Sequence, residues 1–365
     1  MKILQVVFSL AFGGAERFVV DLSNELSKDN DVTLLALKAE TCLPFFSFYK
    51  FALSPNVKYV NLGLPLQASI FAQIKIYKYI KALKPDVVHM HTENMPKFCF
   101  LANLLLGHKI KFVQTIHNDV HEKYDNFLYH FVYHTLGKYR MIRFAALSET
   151  NYLDLRKIYP ALLSTCIVNG RAPILPTEKY DLVRKEIASY KINNDTIVVL
   201  HVARCCEQKN QELLVSGFNE IVRRGKNAIL LIIGGEFEKE RGQLLQRMAC
   251  NRVFFLGTKE NVADYMLNSD IFTLSSKYEG MPISLLEAML SGLPMVSTPV
   301  CGAIDVINGK NGALSKDYSL DGYVEALENV VDNLTVYKSN ASLMAKKCPY
   351  TIDVCTKKYI DFYNL

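Results

Sequence analysis

Short apolar, β-branched runs alternate along the whole chain with longer stretches in which apolar residues recur every three or four positions. The first pattern is that of buried strands and the second that of amphipathic helices, so the chain reads as a series of βα units built on parallel sheets. In the first half the expected strands are KILQVVF (2–8), DVTLLAL (31–37), VKYVNLG (57–63), DVVHMH (86–91), IKFVQTIH (110–117) and FAALS (144–148). In the second half they are TIVVLHVA (196–203), AILLIIGG (228–235), RVFFLG (252–257), DIFTLSS (270–276) and PMVST (294–298). Between the two sets, CIVNGRAPILPTEKY (166–180) carries Asn-Gly and two prolines, the punctuation of a turn and linker. The pattern predicts two doubly wound α/β domains, 1–169 and 170–350, divided near Asn169. A last helix at 351–365 has an aromatic face available to pack across to the first domain. Doubly wound sheets take ligands at the carboxyl ends of their strands, here in an expected cleft between the domains.

A chain of 365 residues exceeds one ordinary core and suits two. No apolar run reaches the roughly 18 residues that cross a bilayer; the longest candidate, FCFLANLLLG (98–107), is interrupted by Asn103. The opening MKILQVVFSLAFGGA has the charged start and apolar stretch of a secretory leader, but a buried first strand accounts for it better. Nine cysteines without a Cys-x-x-Cys pair make neither a disulfide framework nor a zinc site, and a reducing cytoplasm is expected.

The net charge of +6 is unevenly spread. Residues 1–170 hold 19 Lys/Arg and 13 Asp/Glu, whereas the remainder holds 23 of each, so the whole excess lies in the first half. Within it, IFAQIKIYKYIKALK (70–84) sets Lys75, Lys78, Lys81 and Lys84 beside Ile70, Phe71, Ile74, Ile76, Tyr77 and Ile80. Two readings fit this basic amphipathic helix: peripheral docking on an anionic membrane, or ordinary packing with solvated lysines. No helix-turn-helix, finger or base-stacking motif accompanies the modest basic excess, so nucleic acid is not an expected partner.

Candidate chemistry gathers where strands are expected to end. In YEGMPISLLEAMLSGLP (278–294), Pro282 suits the first turn of a helix formed by ISLLEAML, leaving the amides around Gly280, Met281, Ile283 and Ser284 unpaired. Such an end favours phosphate. Glu279 precedes it and Glu287 lies about two turns on, so two carboxylates are set to meet different parts of one ligand, a sugar diphosphate for example. The alternative is a loop carboxylate and a solvated helix residue. In HVARCCEQKNQELLVSGF, Arg204 and Lys209 follow a strand and can hold the two phosphates of a nucleotide leaving group, although loop cations are common. Gly13 and Gly14 occupy the first strand-to-helix turn without forming the G-x-G-x-x-G dinucleotide fingerprint. They permit close approach of a ligand, or are simply a turn. His117 closes a strand, followed by Asn118 and Asp119, and suits either a sugar hydroxyl contact or a structural role. His89 and His91 alternate on another strand, with no carboxylate or cysteine spacing that would complete a metal site.

Taken together, GGAER, the VNG hinge, R-x4-K in VARCCEQKN and the Glu-x7-Glu segment resemble the retaining glycosyltransferases of family 4, over essentially the whole chain. The resemblance implies the GT-B fold, two Rossmann-like domains facing a central cleft, with the acceptor on the first and the nucleotide sugar on the second. It implies transfer of a hexosyl group from a nucleotide diphosphate sugar to an acceptor hydroxyl with retained anomeric configuration, without cofactor or bound metal. Arg204 and Lys209 would bind the donor diphosphate, Glu279 and His117 the donor sugar, and Glu287 the ribose. Gly14, beside Gly13, would lie against phosphate or sugar, with the backbone of Gly280, Met281, Pro282 and Ile283 near the diphosphate. A uridine donor is the commonest family choice, its base met by the GTKENV loop (257–262). The basic first half suits a glycan or lipid-linked acceptor of cell-surface polysaccharide assembly, handled in the cytoplasm at the inner membrane face. A nucleotide-sugar epimerase and a non-catalytic nucleotide-sugar-binding subunit are the competing readings. Cys205 and Cys206 sit between the two cations, where alkylation is expected to block the site.

Overall fold

The computed structural model describes residues 1–11, 13–39, 47–65, 69–92, 95–118, 131, 133–135, 137, 139 and 141–365. They form two compact units, Met1–Ala172 with Tyr350–Leu365, and Pro173–Pro349.

The first unit holds a seven-stranded sheet: β1 (Lys2–Val7), β2 (Asp31–Lys38), β3 (Lys58–Leu64), β4 (Val87–His91), β5 (Lys111–Ile116), β6 (Arg143–Ala146) and β7 (Leu163–Cys166), in the order β3-β2-β1-β4-β5-β6-β7. The second holds six: β8 (Ile197–Val202), β9 (Ala228–Ile233), β10 (Val253–Gly257), β11 (Ile271–Leu274), β12 (Met295–Ser297) and β13 (Gly312–Leu314), ordered β10-β9-β8-β11-β12-β13. Every pairing is parallel. Parallel strands are covered on both faces, which is why they read as unbroken apolar runs: all six residues of β9 and five of the six in β1 are buried. The two strands that the apolar pattern did not announce are edge strands. LSTC of β7 is polar and mostly half-exposed, and β13 is only three residues long, so neither carries a buried run to detect.

Helices pack on these sheets by one apolar stripe each. Helix Gly14–Leu26 buries Phe18, Val19, Leu22 and Leu26. Helix Ile70–Leu83 starts at Ser69, whose hydroxyl accepts from the Ala72 amide at 3.2 Å, and stops where Lys84 turns left-handed. Its apolar residues do not share one face. Ala72, Ile76 and Ile80 are buried, whereas Ile70, Phe71 and Ile74 stand exposed on the side that carries Lys75, Lys78 and Lys81. The FCFLANLLLG run lies in helix Met95–Leu106, and no helix among the described residues is long and apolar enough to cross a membrane.

The last helix, Ile352–Asn364, belongs to the first unit and buries Tyr359, Phe362 and Tyr363 there. Lys111 and Arg143 donate to the carbonyls of Tyr363 and Phe362 at 2.8 and 3.0 Å, placing cations where the helix dipole is negative. At its start Thr351 bridges to Arg171, which pairs in the interior with the Asp21 carboxylate. In both sheets the order turns back about the first strand, with β1 between β2 and β4 and β8 between β9 and β11. Each unit thus has a crevice at the carboxyl ends of those neighbours.

Candidate active site

In the second unit the two chains leaving β8 and β11 are stitched together. The Lys277 amide donates to the Gln208 carbonyl at 2.8 Å, Gln208 Nε2 to the Tyr278 carbonyl at 3.0 Å, and Ser275 Oγ to the Lys209 carbonyl at 2.8 Å. This lacing delivers Lys209 to Glu279, and the ammonium and the buried carboxylate form an ion pair. Ser276 Oγ donates to the same carboxylate oxygen, Oε1, at 2.7 Å, so Glu279 Oε2 makes no hydrogen bond to any described residue. Lys209 is therefore not an open cation beside Arg204; its charge is already balanced. Arg204 is exposed and makes no ion pair among the described residues, with its own carbonyl fixed by Gln211 Nε2 at 2.9 Å.

Helix Ile283–Leu290 begins one residue later than the proline rule suggested. Pro282 is the cap, with extended ψ of 121°, and its carbonyl takes the amides of Leu285 and Leu286 at 3.1 and 3.3 Å. The amides of Ile283 and Ser284 open this helix without a partner among the described residues, and that of Gly280 in the preceding loop has none there either. Gly280, Met281, Pro282 and Ile283 are all buried. Glu287 is half-buried, one turn beyond the half-buried Ser284 on a helix that is otherwise largely interior. The loop is held from behind by Gly302, where a Cβ would meet the Gly280 carbonyl oxygen at 2.7 Å and Met281 Cα at 2.8 Å. Thr298 Oγ1 donates to the Ser276 carbonyl at 2.6 Å. Ser275, Ser276, Thr298 and Gly302 were not singled out from sequence; the Ser-Ser pair closing a strand three residues before Glu279 was the available signal.

Cys205 packs into the core of this unit, and burial pushes its thiol up to about 11, whereas Cys206 is half-exposed. Of the two thiols expected to expose the site to alkylation, only Cys206 is accessible. A cavity of about 390 Å³ opens beside the GTKENV loop, lined by Lys179, Glu186, Thr258, Lys259, Asn261 and Tyr265 among others.

The first unit's crevice is different. Gly13 caps helix Gly14–Leu26 with extended backbone (φ −172°), a conformation open to any residue. The Glu16 carboxylate folds back over it, with Oε2 2.2 Å from where a Cβ would stand. His117 follows β5 directly, half-buried, with Phe18 edge-on at 5.9 Å. Burial holds its imidazole neutral, with the pKa lowered to about 3. Asn118 accepts at its carbonyl from Asn151 Nδ2 at 2.9 Å, and Asp119 lies outside the described residues. Behind His117 stand His91, 3.3 Å away between ring nitrogens, and His89, which meets Tyr363 OH at 2.6 Å and Thr115 Oγ1 at 2.7 Å. Burial, then the neighbouring histidines, keeps both well below the usual imidazole range. No group of three or more His, Cys, Asp or Glu among the described residues is arranged to hold a metal ion.

Residues 12–158 match the model of Glycosyltransferase Family 4, and residues 183–343 that of Glycosyl transferases group 1. This is a GT-B glycosyltransferase family 4-like protein. Over 274 residues the family 4-like chain is 25% identical to an uncharacterized glycosyltransferase of Methanocaldococcus jannaschii, covering 67% of each. It is 24% identical to the Escherichia coli UDP-Gal:α-D-GlcNAc-diphosphoundecaprenol α-1,3-galactosyltransferase, covering 75% of this chain and 72% of that one. Its fold matches Anabaena HepE in complex with UDP and glucose, with a TM-score of 0.80 at 18% identity over 100% of this chain and 99% of the other.

Proposed function

We propose that this protein is a retaining hexosyltransferase that moves a sugar from a nucleotide diphosphate, a UDP-sugar, to a hydroxyl of a glycan or lipid-linked sugar during cell-surface polysaccharide assembly. What supports this reading is the Lys209–Glu279 ion pair beyond the carboxyl ends of β8 and β11, with Glu279 Oε2 uncommitted among the described residues, the exposed Arg204 in the same loop as Lys209, and the open amides of Ile283 and Ser284 just after Glu279. The guanidinium of Arg204 and the amides of Ile283 and Ser284 receive the diphosphate, and Lys209 is shared between a phosphate oxygen and Glu279. Glu279, anchored through Oε1, offers Oε2 to the hydroxyls of the sugar. As the glycosidic bond breaks, negative charge grows on the departing diphosphate. Fixed cations and dipoles already aimed there stabilise it, in the place of a divalent ion.

Glu287 is assigned to the ribose, and the cavity beside Thr258 and Lys259 to the base. The first domain takes the acceptor, with Gly13, Gly14 and His117 reaching the sugar; the Glu16 carboxylate at Gly13 argues for a sugar there in preference to phosphate. The donor and lipid-diphosphate acceptor named for the Escherichia coli relative agree with this assignment. The exposed Ile70, Phe71 and Ile74 beside Lys75, Lys78 and Lys81 suit contact with the anionic inner face of the membrane.

Calorimetry of the purified protein with UDP, GDP, ADP and their common sugars, with EDTA present, tests the reading. Saturable binding of UDP or a UDP-sugar without metal, weakened in Arg204→Ala, is expected. Binding only to another nucleotide, or only after a metal is restored, overturns the donor or the metal assignment respectively.

A further inference from the structure

The chain passes between its two units twice, at Ala172–Pro173 and at Pro349–Tyr350, and a proline stands at each crossing. Just inside the first unit the two crossing segments are laced together. The Arg171 amide donates to the Tyr350 carbonyl and the Ile352 amide to the Arg171 carbonyl, each at 3.0 Å, which makes a short parallel bridge between Arg171 and Thr351. Gly170 permits the approach, since a Cβ there would stand 2.4 Å from the Thr351 carbonyl oxygen and 2.7 Å from Cys355 Cβ. The lacing does not continue outward through either proline, which has no N–H to donate. Burial ends at the same place: Gly170 and Arg171 are buried, whereas Pro173 and Pro349 are exposed.

One ion pair carries this lacing into the body of the unit. The Arg171 guanidinium, on a residue only 5% exposed, pairs with the buried carboxylate of Asp21 on helix Gly14–Leu26. Asp21 also pairs with Arg17, 3.2 Å away and one turn nearer the helix start. A buried carboxylate between two guanidiniums makes a stiff joint, because parting it from Arg171 would strand charge away from water. The same helix is held from another side by the last helix, which begins in the laced segment at Ile352: Phe18 and Tyr359 lie 6.2 Å apart between ring centroids. Asp21 itself is about two turns from Gly14. We propose that Asp21 is a positioning residue that makes helix Gly14–Leu26 and the two crossing segments one rigid piece. The Gly13–Gly14 turn at the helix start is then set by the crossings, and the chain bends only outside the lacing, at Ala172–Pro173 and Pro349–Tyr350. The bearing of that turn on a sugar rests on the function proposed above; the joint does not.

The test is hydrogen exchange of the full-length protein, read by mass spectrometry on peptides that cover 14–21, 167–172 and 350–353. In the wild type the Arg171 and Ile352 amides are expected to be as protected as the middle of helix Gly14–Leu26. Exchange of either at the rate of an exposed loop overturns the proposal even if no variant folds. Asp21→Asn removes the charge and keeps the shape, and it should speed exchange by about tenfold or more in all three segments together, with β4, β5 and the second unit unchanged. Arg171→Lys, which retains an ion pair, should fall between the two. Loosening of the crossing segments without the helix overturns the joint, and so does equal loosening across the whole first sheet, which is the mark of a general loss of stability. Calorimetry then reads the consequence at the turn. In Asp21→Asn the affinity for UDP should stay as in the wild type, while that for UDP-glucose falls by about fivefold, the worth of one hydrogen bond. Unchanged UDP-glucose binding in a variant with a loosened helix removes the sugar role of the turn and leaves the joint standing; absence of UDP binding in the wild type counts against the proposed function alone.

Discussion

The two crevices share a topology and oppose each other in chemistry. Both lie where a parallel sheet turns back about its first strand, yet the β1–β4–β5 ends present Gln5, His91 and His117, all uncharged, while the β8–β11 ends present Arg204 and the Lys209–Glu279 pair. The difference fits the function proposed above, in which the second crevice would hold the diphosphate and the first the acceptor. A leaving diphosphate develops charge and needs cations fixed in advance, whereas sugar and acceptor hydroxyls are neutral and are sorted by donor and acceptor pattern. The first unit also carries lysines on its outside, Lys75, Lys78 and Lys81 among them.

The comparison can be broken most severely with acid. The three histidines behind the first crevice have folded pKa values depressed below the ordinary imidazole value by burial, His117 to about 3, and no acidic group contributes to any of these shifts. The unfolded chain therefore binds protons below about pH 6.5 that the folded chain refuses. Stability is full above that pH and falls as pH drops toward the folded values, by about 1.4 kcal/mol per pH unit for each such histidine. The second unit has one comparable group, His201, lowered to about 4. Hydrogen exchange between pH 7 and pH 5 should show protection lost first in β1, β4 and β5, while β8 and β9 hold. Equal loss in both sheets would remove the distinction.

Next in size is the charged crevice itself. Arg204→Ala and Lys209→Ala should each lower transferase kcat by about two to three orders of magnitude, corresponding to roughly 2.7–4 kcal/mol of transition-state stabilisation. Lys209→Ala should also lower stability, because it leaves the buried Glu279 carboxylate with only Ser276. Arg204→Ala, at an exposed position with no ion pair among the described residues, should leave the unfolding midpoint unchanged. Near wild-type turnover in either variant would mean that the diphosphate is held elsewhere.

The outer charge of the first unit gives a third contrast. Replacing Lys75, Lys78 and Lys81 together by Gln should weaken sedimentation with anionic lipid vesicles by roughly 100-fold, at about 1 kcal/mol per lysine. Donor affinity, set in the second unit, should not move. Unchanged vesicle binding would leave the exposed Ile70, Phe71 and Ile74 unexplained by a membrane.

What the sequence disclosed depended on the length and polarity of each signal. Eleven strands announced themselves because a doubly covered parallel strand is an unbroken apolar run; β7 and β13 did not, being polar or very short and lying at sheet edges. Amphipathic spacing found the helix at 70–83 but not its orientation, since isoleucines fall on both its buried and its exposed sides. At the second crevice, motif spacing singled out Arg204, Lys209, Glu279 and the helix start. It did not show that Lys209 and Glu279 pair, because that contact joins loops 70 residues apart through the lacing of β8 to β11. The contacts of His91 with Gln5 and His117 were equally out of reach, as they join three strands that only the sheet order makes neighbours.

The smallest predicted effect concerns Ser276, and it sharpens the charged side of the comparison. Its hydroxyl and the Lys209 ammonium share Glu279 Oε1, so Lys209 supplies charge and Ser276 supplies aim. Ser276→Ala removes one hydrogen bond from a carboxylate that keeps its cation, which costs about 1 kcal/mol, or roughly fivefold in donor affinity. If Oε2 is the oxygen that meets the sugar, the loss should fall on the nucleotide sugar and spare the free nucleotide, because only the sugar reads the orientation of the carboxylate. Calorimetry with UDP-glucose and UDP on Ser276→Ala and Ser276→Thr measures this directly. Equal weakening of both ligands would show that Ser276 shapes the diphosphate end of the crevice, while recovery in the threonine variant of the UDP-glucose loss alone would assign the hydroxyl to the carboxylate.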